Sequence, residues 1–179
     1  MSNYLYSCND PGELIYNPCI TELGRIRAFF YVRTSYTFSD PTDPAEWTSA
    51  IASGDVIIVQ NTTGNKDKSS RIAGSGFGNQ KDMTIARDFT VHYMHREVTE
   101  DANTDFYDAM NFSDGYYCGF ITQTKLWLFQ PENVVSVDAD IIVEEGIDTR
   151  VLFDVTVAFI GQTLATPFEI PSGIFVNVP

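Results

Sequence analysis

Two histidines, His92 and His95, are the only imidazoles in the 179-residue chain, and imidazole is the side chain best suited to act as a base or metal ligand near neutral pH. Both fall in the stretch Arg87–Val98, which reads as a strand. Successive strand side chains point to opposite faces, so a separation of three sends the two rings to opposite sides, where they cannot share a metal. Each is expected to be a surface or partly buried polar residue. No GxSxG elbow or catalytic-cysteine signature supplies a nucleophile for either histidine to activate. Asp138 and Asp140 are a same-face pair at period two. Paired carboxylates can serve as acid and base or bind Ca²⁺ through oxygen, but polar residues at alternate positions are also what the wet face of a sheet requires. The Gly74-Ser75-Gly76-Phe77-Gly78 cluster lacks the spacing of GxGxxG, and Asn79-Gln80 follows it in place of the GK[ST] that ends a P-loop. It reads as a flexible or tightly turned loop. Cys8, Cys19 and Cys118 are odd in number and lack CxxC spacing, which points to three reduced thiols. No cofactor, metal site or catalytic residue is expected.

The charge balance narrows the partners. Eleven Lys and Arg against 24 Asp and Glu give a net charge of −13, which repels phosphate backbones and anionic lipid, so specific nucleic-acid binding is not expected. The charge is unevenly placed. Residues 1–61 carry 3 basic and 7 acidic groups, residues 62–96 carry 6 and 3, and residues 97–179 carry 2 and 14. A basic middle is thus followed by a strongly acidic second half, a polarity that could stack copies of one chain. The longest apolar run, Ala28 to Val32, is five residues, far short of the roughly 20 that cross a bilayer. Met1-Ser2-Asn3-Tyr4-Leu5 has neither a basic n-region nor an apolar h-region, so synthesis in a cytoplasm without membrane partners is expected.

These residues must be held by a mainly β fold, because period-two alternation dominates the sequence. In Val134–Val143, Val135, Val137, Ala139, Ile141 and Val143 share one face. In Arg150–Ile160, Val151, Phe153, Val155, Val157 and Phe159 form an apolar stripe. Gly146, in the Glu144–Asp148 connection, suits a tight loop, so the two stretches read as a long antiparallel hairpin. Further strands are expected at Ile26–Phe38, Asp55–Gln60, Arg87–Val98, Tyr116–Thr124, Lys125–Gln130 and Gly173–Val178. Asp43-Pro44-Ala45-Glu46 has the cap, first-position proline and capping-box glutamate of a helix carrying Trp47, Ala50 and Ile51, ended by Gly54. A second helix is expected over Asn103–Phe112. Its neighbourhood gathers Glu100, Asp101, Asp105 and Asp108 towards the N-terminal end, where the dipole favours them. The 26-residue stretch Asn61–Ala86 lacks periodicity and reads as a long loop, a length that is usually functional or disordered. Its Lys66, Lys68, Arg71, Phe77 and Lys81 are the candidate subunit-interface residues. Asp138, Asp140, Glu144 and Glu145 are the candidate acidic face. The expected architecture is an antiparallel β-sandwich or barrel with one or two short helices and a long loop. An extended arm of residues 1–20 precedes a single β-rich domain of residues 21–179. The 24 aromatic residues fit a core or subunit interface better than a sugar-binding face.

The segment Trp47–Val59, the loop ending in Gly76-Phe77-Gly78, the segment Asn103-Thr104-Asp105-Phe106-Tyr107-Asp108 and the closing hairpin together resemble virion structural proteins of tailed bacteriophages. The resemblance is to those of Bacteroides-infecting and crAss-like phages in particular, and it covers about two thirds of the chain. The order of elements looks most like a tail tube protein. That resemblance implies a virion location and a β-sandwich or barrel whose long loop contacts the next ring. It also implies an acidic lumen along which DNA slides, and partners that are copies of the chain and other virion proteins in a homo-oligomeric ring or lattice. Two other readings stay open at this point. One is an auxiliary decoration protein on the phage head, using the N-terminal arm as a clamp. The other is a carbohydrate-binding or hydrolytic module using exposed aromatics or Asp138 and Asp140.

Overall fold

The apolar run at 28–32 lies in strand β1 (Ala28–Arg33), where Phe29 and Tyr31 face one way and Ala28, Phe30 and Val32 the other, all fully buried. A strand apolar on both faces needs a layer on each side, and the computed structural model of the chain supplies both. It describes residues 24–76, 78–79, 81–96, 105–143 and 151–174. The other strands are β2 (Val56–Val59), β3 (Thr62–Lys66), β4 (Ser70–Gly74), β5 (Met83–His95), β6 (Tyr116–Ile121), β7 (Lys125–Leu128), β8 (Ser136–Ile142), β9 (Leu152–Gly161) and β10 (Thr166–Glu169). They form two antiparallel five-stranded sheets. One has the order β10-β7-β6-β1-β2, and the other runs β3-β5-β9-β8 with β4 also paired to β5. The two sheets pack as a β-sandwich.

Between them lies the larger core, with Phe29, Tyr31 and Phe120 of the first sheet against Phe89, Val91, Tyr93, Phe153, Val155 and Val157 of the second. Aromatic rings fill it. Phe29 stacks on Tyr93 with centroids 4.8 Å apart, and Phe89 on Phe159 at 5.1 Å. The far side of the first sheet is closed by helix α1 (Pro44–Ser53). Trp47 meets Phe30 edge-on at 5.1 Å and stacks on Phe38 at 4.5 Å. Each such fully buried ring contributes about 2–3 kcal/mol of hydrophobic stabilisation. Asp43 Oδ1 accepts the Ala45 N–H and caps α1, Pro44 opens it, and Gly54 ends it at φ +78°. Glu46 does not close a capping box. Its carboxylate instead accepts the N–H groups of Ser39 and Asp40 at 2.7 and 2.8 Å, tying the preceding turn to the helix.

Among the described residues no helix covers the outer face of the second sheet. Along β5, β8 and β9 buried residues alternate with exposed or half-exposed ones. At one lateral edge of this sheet, Ile26 bridges Gly64 of β3. The other is β8, and there the carboxamide of Asn111 takes the place of a neighbouring strand. Asn111 Nδ2 donates to Ala139 O at 3.1 Å, and the Ala139 N–H donates to Asn111 Oδ1 at 2.8 Å. Asn111 directly follows α2 (Asp108–Met110), a single helical turn continuing from a π-type turn at 105–107.

Several expectations need correction. The stretch Asn61–Ala86 is not a long loop, because β3, β4 and the first residues of β5 occupy most of it. The strand expected over Ile26–Phe38 ends at Arg33, and the helix expected over Asn103–Phe112 is helical only at 105–110 among the described residues. Gly173 lies in a turn at φ +81°, and Ile174 packs beside Trp47 in the helix-side core. The rest of the strand expected there lies outside the described residues. β10 was not foreseen. The hairpin is as expected, β8 pairing with β9 from Ser136↔Ala158 to Ile142↔Leu152, with its connection at 144–150 outside the described residues.

Candidate interaction surfaces

β5 is longer than the sheet that holds it. Its pairing with β9 runs from Arg87 to His95, so Met83–Ala86 pair only with β4. At about 3.3 Å per residue this is a two-stranded ribbon overhanging the sheet by about 13 Å. The register slips between Ile72 and Ala73, which oppose Ala86 and Thr84, so Ile85 is an extra, bulged residue and strengthens the local twist. The side chains of Ile85 and Met83 are 54% and 37% exposed.

Arg71 and Arg87 are cross-strand partners at the ribbon's base, on the side of the sheet that faces the sandwich interior. Lys66 lies on that side too, opposite Val91, with Nζ 5.2 Å from the centre of the Phe89 ring. Burial lowers the Lys66 pKa, the Asp67 carboxylate opposes that shift, and the positive charge of Arg87 adds to it. Each of these cations donates a hydrogen bond within the described residues. Lys66 Nζ donates to Asp67 O, Arg71 Nη2 to Asp82 O and Arg87 Nη1 to Ser69 Oγ. Among the described residues none of the three forms an ion pair with a carboxylate.

The outer face of the same sheet has the opposite sign. Asp88 on β5, Asp154 on β9, and Asp138 and Asp140 on β8 all point outwards, with Asp140 directly opposite Asp154. Like charges in that position destabilise a sheet, and among the described residues neither carboxylate forms an ion pair. His92 lies among them. Its Nδ1 is 3.1 Å from Thr156 Oγ1 and its Nε2 3.5 Å from Asp67 Oδ2, and Asn65 Nδ2 donates to the other Asp67 oxygen. Hydroxyl, imidazole and carboxylate are aligned as in a nucleophilic triad. However, Thr156 and His92 are in strands paired on both sides; the ladder engages their N–H groups, which are then not free to bind an oxyanion.

His95 points the other way, into the core. Its Nδ1 is 3.0 Å from the Tyr107 hydroxyl, and Tyr31 and Tyr93 share a buried hydrogen bond at 2.8 Å. Burial pushes the phenols of Tyr31, Tyr93 and Tyr107 up, and the thiol of Cys118 with them. Beyond the sandwich end, a cleft of about 440 Å³ is lined by Gln130, Glu132, Asn133, Gln162 and Thr163 over Ala86, Ile160 and Gly161. No aromatic ring lines it, so it lacks the apolar platform usual in small-molecule sites.

Of the residues singled out in the sequence, Lys66 is half-buried, while Lys68, Arg71 and Lys81 are exposed around the ribbon. Asp138 and Asp140 share the exposed outer face. Phe77, Glu144 and Glu145 lie outside the described residues, as do Cys8, Cys19 and the arm at 1–20. Sequence reasoning missed Arg87, read only as the start of a strand, and Asn111, whose role depends on a strand 28 positions away. Among the described residues no group of three or more His, Cys, Asp or Glu is arranged to hold a metal ion. Nor is any helix long and apolar enough to cross a membrane. Fold and surfaces together define a two-sheet antiparallel sandwich with an anionic outer face on one sheet and an overhanging cationic ribbon. No family model, curated protein or solved structure matches the chain.

Proposed function

We propose that this chain is a non-enzymatic structural subunit that associates with copies of itself, in the manner of a virion tail tube or tail ring protein made in the host cytoplasm. The observation that carries the reading is the ribbon, whose β4 pairs only with β5 among the described residues and which exposes Met83 and Ile85 beside cations that form no ion pair with a described carboxylate. Apolar side chains on an overhanging element are buried when a neighbouring surface receives them. The anionic outer face offers a surface of opposite sign on the same molecule, and such a donor-to-acceptor contact between different surfaces propagates into rings or stacks. In this reading the ribbon lies between rings, and the β8–β9 hairpin belongs to the sheet that builds each ring. Because Asn111 occupies the β8 edge, copies meet through the ribbon and the sheet faces and not by extending the sheet at β8.

Negative-stain electron microscopy across protein concentration and salt, with mass from light scattering, tests this. Rings or tubes that weaken at high salt are expected. The Lys68→Glu/Arg71→Glu/Lys81→Glu variant should lose them while keeping the far-ultraviolet circular dichroism of the parent. A monodisperse monomer or trimer at every concentration would remove the tail reading in favour of an auxiliary capsid protein, to be tested by binding to empty heads.

A further inference from the structure

We propose that the outer edge of β4 is a strand-acceptor site for an extended acidic segment of a second copy of this chain, a proposal that rests on the self-association reading and names its contact. The second sheet has two lateral edges. On one, β8 has Asn111 bonded to both backbone groups of Ala139, and the Ile141 N–H is engaged by Asp140 Oδ1 at 2.7 Å. On the other, β3 is bridged by Ile26 at Gly64. β4 shares that side of β5, and β5 is its only strand partner among the described residues. Alternate residues of Ser70–Gly74 therefore turn backbone donors and acceptors away from β5, and Ile72–Gly74 do so on the overhanging ribbon. Such a row is a template for one more strand.

Charge selects which strand. A second β4 is disfavoured, because Arg71 already faces Arg87 across the ribbon and pairing two β4 edges would bring further like charges together. An incoming strand with acidic side chains at alternate positions would instead set carboxylates on the side where Arg71 and Arg87 lie. Outside residues 62–96 the chain holds 21 acidic and 5 basic residues, so a second copy has abundant sequence of the required sign.

Hydrogen–deuterium exchange on the full chain, at concentrations below and above the onset of association, tests this. The amides in Ser70–Gly74 that point away from β5 should become about tenfold more protected on association, as expected for newly hydrogen-bonded strand edges. A peptide rich in Asp or Glu should gain protection in parallel. In the Lys68→Glu/Arg71→Glu variant both gains should vanish while exchange in β9 stays as in the parent. Association with unchanged exchange at Ser70–Gly74 overturns this contact and leaves self-association standing. Absence of association at any concentration overturns both. Protection of Ser70–Gly74 by an added alternating Asp-Val peptide, without protection by copies of the chain, overturns the second copy as the occupant.

Discussion

At the scale of single residues, packing at β6 sets a sharp limit. A Cβ on Gly119 would lie 2.2 Å from Phe30 Cζ and 2.5 Å from Trp127 O, and the second of these is backbone that cannot swing aside. Gly119→Ala should therefore cost about 3 kcal/mol through overpacking, read as a lower urea midpoint. Gly115→Ala, with nothing within 4 Å of the added carbon, should change stability by less than about 0.5 kcal/mol. Equal losses in the two variants would show that the close approach at β6 does not limit packing. The phenol pair follows a different rule. Removing the Tyr93 hydroxyl leaves that of Tyr31, which has no solvent access, without this partner, at a cost of about 2 kcal/mol. Because the two hydroxyls act as a unit, Tyr31→Phe/Tyr93→Phe should cost less than the sum of the single changes. An additive double-mutant cycle would mean that the 2.8 Å contact carries no coupling.

At the scale of elements, Asn111 acts as an edge cap, and its two bonds to Ala139 give Asn111→Ala an expected cost of about 2 kcal/mol. The variant should also gain concentration-dependent light scattering, because the uncapped β8 edge becomes available to other chains; scattering unchanged from the parent would count against the capping role. What was legible in the sequence follows the same logic of faces. The β8–β9 hairpin could be read because one face of each strand meets the core, so Val137 in β8 and Phe153, Val155 and Val157 in β9 alternate with polar residues. Helix α1 could be read from Asp43, Pro44 and Gly54, which act locally. β3 and β4 could not. Thr62 and Gly64 are small, Lys66 sets its ammonium over the Phe89 ring, and the ribbon is exposed or half-exposed along its length, so no hydrophobic alternation marks it. β10 was hidden by Pro167 at a sheet edge, where the missing N–H is tolerated. Among the candidate surface residues, the cationic cluster was legible as composition, but Arg87 joins it only through its pairing with Arg71.

At the scale of the whole molecule, the layered build places ionisable groups where only their neutral forms fit. Tyr31, Tyr93, Tyr107 and Cys118 lie between the sheets, and Tyr117 lies under the helix layer, where its hydroxyl donates to Tyr36 O at 3.1 Å. Burial raises all five pKa values above the ordinary 10.0 for tyrosine and 9.0 for cysteine. The folded chain thus keeps these protons at pH values where the unfolded chain has begun to release them. Stability from these groups is complete below the unfolded values and falls as pH rises beyond them. Each buried phenol steepens the loss by about 1.4 kcal/mol per pH unit above its unfolded value. Urea midpoints should be level between pH 7 and 8 and then drop steeply beyond pH 10. The drop should be shallower in Tyr31→Phe/Tyr93→Phe, which removes two of the contributing groups. A stability curve that stays level through pH 11 would show that water reaches these phenols. The separation between the two layers of rings would then be looser than the 2.8 Å contact of Tyr31 with Tyr93 requires.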